Sequence, residues 1–94
     1  MVEIIWSTTA ENDLIEIIDY IAQDSPQYAL SFYDDVQEKV ENLIDFPHIG
    51  RIVPELDESN MRELILSNYR LVYRIHGEKI QILRLIHGAR LLKI

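Results

Sequence analysis

The stretch MRELILSNYRLVYRIHGEKIQILRLIH at residues 61–87 decides the fold, because it contains three strand-like runs separated by very short turns. Apolar and polar residues alternate along the runs, as half-buried strands require, and the runs cover residues 61–66, 69–76 and 80–87. Ser67-Asn68 and Gly77-Glu78 leave room only for tight hairpins, and Gly77 can adopt the positive φ that such turns need. We therefore predict a three-stranded antiparallel meander.

The start of the chain predicts one more strand and a helix. Residues 2–6 alternate as a short strand, whose apolar side carries Val2, Ile4 and Trp6. Apolar residues then recur at helical spacing over residues 9–24, and Thr8 or Thr9 is placed to cap the helix.

A second amphipathic helix is predicted over residues 26–45. Asp24-Ser25-Pro26 both ends the first helix and starts this one, because proline is favoured at the first helical position. Residues 45–60, which contain Pro47 and Pro54, are expected to form a loop. The predicted fold is α+β: a helical hairpin packed on a four-stranded, largely antiparallel sheet in the order β-α-α-β-β-β.

Composition and charge limit the classes of function. The 94 residues, 48% apolar and 27% charged, predict one globular domain over residues 1–94. The chain has no cysteine, and its N-terminus lacks the basic and apolar pattern of a signal peptide, so we expect a cytoplasmic protein without a membrane anchor. Residues 1–50 carry a net −10 and residues 51–94 a net +3, which disfavours broad coating of nucleic acid but permits a local phosphate contact.

Most catalytic motifs are missing from the sequence. Only three glycines occur, which is too few for a phosphate-binding loop, and the three histidines lack the spacing of a zinc helix. We therefore expect no metal and no cofactor.

Arginines mark one face of the predicted middle strand. Arg70 and Arg74 alternate there with Val72, while the opposite face is apolar. A mixed face of this kind is commonly covered by a partner chain. The alternative is that these arginines pair with Glu3, Glu63 or Glu78 and merely solvate the sheet.

The segment His87-Gly88-Ala89-Arg90 closes the last predicted strand. A histidine that titrates near neutral pH and an arginine three residues later could hold a phosphate beside an acid/base group. The alternative is an ordinary strand-end histidine, hydrogen-bonded to backbone, followed by a turn glycine.

Several stretches together resemble the RelE/ParE superfamily of toxins from bacterial type II toxin–antitoxin modules. They are DLIEIIDYIAQDSP, YALSF, FPHIGRIVPE, RELILSNYRLVYRI and ILRLIHGAR, and they span nearly the whole chain. The resemblance implies a growth-inhibiting toxin of the plasmid-stabilisation type, neutralised by a cognate antitoxin that wraps it.

The superfamily divides by target. RelE-like members cut messenger RNA on the ribosome, and ParE-like members inhibit DNA gyrase. The HGAR ending is more similar to ParE-like members, so we expect gyrase inhibition. The alternatives are a ribosome-dependent mRNA endonuclease, with His87 as acid/base and Arg70 or Arg90 on phosphate, and a non-toxic antitoxin-binding homologue.

The expected antitoxin surface combines apolar anchors with arginines. The antitoxin is predicted to lie beside Val72, Ile80 and Ile82 and to place its acids against Arg70, Arg74 or Arg84. A homodimer or a toxin–antitoxin hetero-oligomer is the expected assembly.

Overall fold

Two helices and a five-stranded sheet make up the α+β fold in a computed structural model, which describes residues 2–90 and 92. The elements are β1 (Glu3–Trp6), α1 (Thr8–Asp24), α2 (Pro26–Asn42), β2 (Arg51–Ile52), β3 (Met61–Leu66), β4 (Tyr69–His76) and β5 (Lys79–His87). The strand order is β1-β5-β4-β3-β2, in which β1 runs parallel to β5 and the other neighbours are antiparallel. The predicted fold class and the helical hairpin are confirmed.

The sheet has five strands rather than the predicted four. Arg51 and Ile52, expected in a loop, pair with Glu63 and Arg62 and form the short edge strand β2. A two-residue strand is too short to produce an alternating pattern, so its pairing depends on contact with β3.

Serine side chains begin both helices. The Ser7 hydroxyl, rather than Thr8 or Thr9, accepts from the N–H of Ala10 at 3.0 Å, and it also donates to the carbonyl of Leu83 at 3.1 Å. Ser25 caps α2, with Pro26 as its first residue, as predicted. Because the Ser7 hydroxyl bonds to β5 as well, the helix start is tied to the sheet.

The main core lies between the helices and one face of the sheet. Leu71, Tyr73, Ile80 and Ile82 of the sheet are fully or almost fully buried against α1 and α2. The side of β1 predicted to be apolar packs against this same cluster. The alternation read from the sequence therefore has the correct phase in β1 and β4.

A second, smaller core lies on the other side of the sheet, which carries Arg70, Val72 and Arg74 and is called the second face below. Buried apolar residues from a loop, three strands and the C-terminal segment meet there: Val53, Met61, Val72, Ile86 and Leu92. The chain thus covers part of the face that was expected to await a partner, and Val72 is 0% exposed.

Candidate functional site

Two adjoining hollows open where β5 ends beside the turn between β3 and β4, and together they are called the β5-end cleft. Their volumes are about 330 and about 240 Å³. Arg51, Arg70, Gly88 and Ala89 line both hollows. Arg90 lines the larger hollow and His87 the smaller, so the structure brings together all three residues that the sequence suggested for phosphate chemistry.

Arg70 is engaged by the chain's own groups. Its Nη1 and Nη2 donate to the two oxygens of Glu55 at 2.8 and 2.7 Å, and its Nε donates to Glu63 Oε1 at 2.8 Å. Nη1 also donates to the carbonyl of Arg90 at 3.0 Å. Arg70 is only 5% exposed, so it lies in a largely water-free position. Its charge is neutralised there by the carboxylates of Glu55 and Glu63. The alternative that it pairs with Glu63 is confirmed.

The two carboxylates differ in their surroundings. The Glu63 side chain is 0% exposed and lies between Arg70 and Arg51, at 2.6 and 2.5 Å. Glu55 reaches in from the loop before β3 and accepts from the N–H of Leu92 at 2.9 Å as well. The Arg70 hydrogen bonds, with help from the Leu92 N–H, lower the pKa of Glu55 from 4.5 to about 2.

The same pairing acts on the arginine. The hydrogen bonds from Arg70 to Glu55 raise the pKa of Arg70 above its ordinary value, against the opposing effect of burial.

Glu55 was not singled out from the sequence. The available signals were its place at the end of the FPHIGRIVPE stretch and the excess of arginines that follows it.

His87 is exposed, and its ring is held by local contacts. Its Nδ1 accepts from the N–H of Ala89 at 3.2 Å, which places the proton of the neutral ring on Nε2. The ring of Tyr69 contacts it edge-on, with centroids 5.7 Å apart. At Gly88 a Cβ would lie 3.1 Å from the carbonyl oxygen of Asn68, so a larger residue would need a small shift of that backbone. These contacts match the strand-end interpretation of the segment.

The expected antitoxin anchors do not lie on one surface. Ile80 and Ile82 are 1% and 0% exposed and pack under the helices, whereas Val72 is buried on the second face, so the three predicted anchors do not share a surface. Ile80 and Ile82 pair with Ile75 and Tyr73, which also face the helices. The apolar run in β5 does not show by itself which of its residues face the helices, and the register of its pairing with β4 determines this.

The remaining arginines of that prediction are half-buried. Arg74 lies against Met61, with Nε 3.3 Å from the sulfur. Arg84 follows a β-bulge, in which Leu83 is the extra residue, and its Nε donates to Asp13 of α1 at 2.8 Å. Asp13 also accepts from the N–H of Leu85 at 3.0 Å, so it secures the part of β5 that extends past β1. Arg84 therefore has a partner within the chain.

Lysines and metal ligands do not converge on the β5-end cleft in the described part of the chain. Lys79 begins β5, about 26 Å along the strand from His87, and Lys39 lies in α2, while Lys93 falls outside the described residues. Residues 2–90 and 92 contain no group of three or more His, Cys, Asp or Glu side chains that could hold a metal ion. Within the same residues no helix has both the length and the apolar character to cross a membrane.

The helical hairpin on one face of a small mixed sheet agrees with the fold expected of a toxin of the RelE/ParE superfamily. Residues 4–92 match the family model for the ParE toxin of the type II toxin-antitoxin system, parDE. The chain therefore belongs to the ParE toxin family, and this membership implies a cognate antitoxin as partner.

Individual relatives agree with this assignment. The chain is 30% identical over 92 residues to Toxin RelE2 of Caulobacter vibrioides, covering 97% of this chain and 100% of that protein. A structure of the chromosomal ParDE TA system from P. aeruginosa matches with a TM-score of 0.74 and 30% identity, over 93% of this chain and 96% of that one. The YoeB/ParE toxin from Agrobacterium tumefaciens shares the fold, with a TM-score of 0.64 and 12% identity over 92% and 98% of the two chains.

Proposed function

We propose that this ParE-family toxin acts in the cytoplasm and inhibits growth by binding DNA gyrase, and that it cuts no RNA itself. The observation that supports this proposal is that the guanidinium of Arg70 is already hydrogen-bonded within the chain. Cleavage of RNA through its 2′-hydroxyl needs an acid, a base and cations that meet the charged phosphorane. The N–H groups of Arg70 already donate to Glu55, Glu63 and the carbonyl of Arg90. A phosphate would therefore have to displace a carboxylate in order to bind Arg70.

The other groups of the β5-end cleft add to this argument. Nδ1 of His87 is occupied by a backbone N–H, and the lysines of the described chain lie elsewhere. The three arginines that line the cleft are offset by two carboxylates, which leaves little excess positive charge for a polyanion. A surface of this kind suits recognition of a protein better than phosphate chemistry.

A supercoiling assay tests the proposal. Purified toxin is titrated into DNA gyrase acting on relaxed plasmid, and we expect loss of supercoiled product. His87→Ala should still inhibit supercoiling, because the proposal gives that ring no chemical step. Full supercoiling at a large molar excess of correctly folded toxin would rule gyrase out as the target.

A ribosome-dependent mRNA endonuclease is the second candidate. The 30% identity to Toxin RelE2 and the meeting of His87, Arg51 and Arg90 at one cleft favour it. Mapping the ends of mRNA fragments from an in vitro translation reaction should then show cleavage that requires ribosomes. This cleavage should be absent when either His87→Ala or Arg90→Ala replaces the wild-type toxin. A protein that binds its antitoxin but is inactive in both assays would be a non-toxic homologue.

A further inference from the structure

Two guanidinium groups at the β5-end cleft have hydrogen-bond donors that the chain does not use. The Nε of Arg51 donates to Glu63, but no group within residues 2–90 and 92 accepts from its Nη1 or Nη2. In the same part of the chain no acceptor meets the side chain of Arg90. The Arg51 side chain is 59% exposed, and Arg90 is exposed as well. Both groups can therefore donate to a ligand from outside the chain.

Contacts within the chain fix the positions from which these donors act. Glu63 is buried and also bound to Arg70, so it holds the Nε end of Arg51. The N–H of Arg90 donates to the carbonyl of His87 at 3.0 Å, and the carbonyl of Arg90 accepts from Arg70 at 3.0 Å. Arg51 is thus already oriented, and Arg90 extends from a backbone that is held at both ends. Binding a ligand here orders few further groups, which lowers its entropic cost.

The charge balance of the cleft suits a single carboxylate. Three arginines line its larger hollow, and Glu55 and Glu63 offset two of their charges, which leaves one positive charge in excess. One carboxylate balances that excess and can accept two parallel hydrogen bonds from a guanidinium. A nucleic acid brings a phosphate with every nucleotide, and a protein with a net charge of −7 repels such a chain. The expected ligand is therefore an acidic side chain of another protein.

An exposed apolar side chain adjoins these cations. Ile65 lines the smaller hollow together with Arg51 and is 51% exposed. It pairs with Arg70 across β3 and β4, so the two side chains lie on the same side of the sheet, the second face. Arginine is enriched at protein interfaces, where apolar burial supplies affinity and charge pairs supply specificity. The cleft and Ile65 together fit a segment that carries an acid beside an apolar residue.

We propose that the β5-end cleft is the surface with which the toxin binds gyrase. A carboxylate side chain of gyrase enters the larger hollow and accepts from Arg51 and Arg90, and an apolar neighbour of that acid packs on Ile65. Arg70 stays bound to Glu55 and to Glu63, which positions Arg51. This inference rests on the proposed function and adds to it the residues that contact the target.

A matched pair of charge reversals tests the cations, with the Kd for purified gyrase measured by surface plasmon resonance on immobilised toxin. Arg90→Glu should raise the Kd about tenfold or more, because it sets one carboxylate against another. Lys39→Glu makes the same change in net charge on an exposed position of α2 and should leave the Kd within about twofold of the wild type. Equal losses in the two variants would mean that only the overall charge matters, and the cleft assignment would fail.

A second pair tests the apolar contact in the same assay. Ile65→Ala should raise the Kd for gyrase about threefold to tenfold, because it removes apolar area that binding buries. Leu30→Ala removes a side chain of similar size that is 63% exposed on α2, and it should bind as the wild type does. Circular dichroism checks that all four variants are folded. A folded Ile65→Ala toxin with the wild-type Kd overturns the placement of gyrase on this face.

The supercoiling assay separates this inference from the proposed function. A wild-type toxin that inhibits gyrase no more strongly than Arg90→Glu keeps the proposed function and overturns the cleft assignment. A wild-type toxin that neither binds nor inhibits gyrase overturns the proposed function itself. If Arg90→Glu loses affinity for the antitoxin while its Kd for gyrase is unchanged, the cleft belongs to the antitoxin and the choice of partner is wrong.

Discussion

Replacing Glu55 with glutamine tests whether the carboxylate pair on Arg70 stabilises the fold. The variant keeps the size of the side chain and one acceptor oxygen but removes the charge that faces Arg70. The difference between pKa values of 4.5 and about 2 corresponds to about 3 kcal/mol, at about 1.4 kcal/mol for each tenfold change in acidity constant. The Glu55 side chain is 22% exposed, and solvent screens part of this interaction. We expect Glu55→Gln to lower the free energy of unfolding by about 1–2 kcal/mol at pH 7.

The pH dependence of this loss follows from the direction of the pKa shift. Because folding lowers the pKa of Glu55, its contribution is fully present above pH 4.5 and is lost as the pH falls toward 2. Urea unfolding of the wild type and of Glu55→Gln should therefore show a stability difference that shrinks by more than half between about pH 6 and pH 3.

Glu58→Gln, at an exposed acid of the same loop, is the control and should be nearly neutral. A Glu55→Gln protein as stable as the wild type at pH 7, or a loss that is constant with pH, would refute the reasoning.

Three further changes test individual contacts of the fold. Gly50→Ala places a Cβ 2.6 Å from the carbonyl oxygen of Glu63 and 2.7 Å from the Tyr73 hydroxyl, so we expect a loss of about 1–3 kcal/mol in urea unfolding, and an unaltered midpoint would contradict these contacts. Asp13→Ala leaves the N–H of Leu85 without its acceptor and should cost about 1–3 kcal/mol, whereas Asp13→Asn should recover part of the loss; equal losses would show that the hydrogen bond contributes little. Ser25→Ala removes the N-cap of α2 and should lower the stability by about 1 kcal/mol, measured as a fall of roughly 4–8 °C in Tm, while Ser25→Gly should cost only a few tenths of a kcal/mol.

Local patterns in the sequence predicted most of the secondary structure. The three strands of the meander, the start of α2 at Ser25-Pro26 and the positive φ of Gly77 were all readable, because each depends on periodicity or on the geometry of one residue. The end of α2 was less readable. The helix stops at Asn42, although the apolar spacing continues to Ile44.

Only part of the β5-end cleft could be predicted from the sequence. His87, Arg70 and Arg90 were identified by residue type and do line one cleft, but their hydrogen bonds could not be predicted. The partner of Arg70 in the loop, Glu55, lies fifteen residues away in sequence. No local pattern specifies such a pair, because it depends on how the loop folds over the sheet.

The sequence by itself determined the α+β class, the helical hairpin and the meander, because alternation and helical spacing are properties of neighbouring residues. Only the tertiary structure decided that β1 lies beside β5, that β2 exists, and that Ile80 and Ile82 face the helices. It also decided that Arg70 is satisfied by Glu55 and Glu63. These outcomes depend on contacts between distant parts of the chain, whose free energies are set by packing and burial of the folded whole rather than by local spacing.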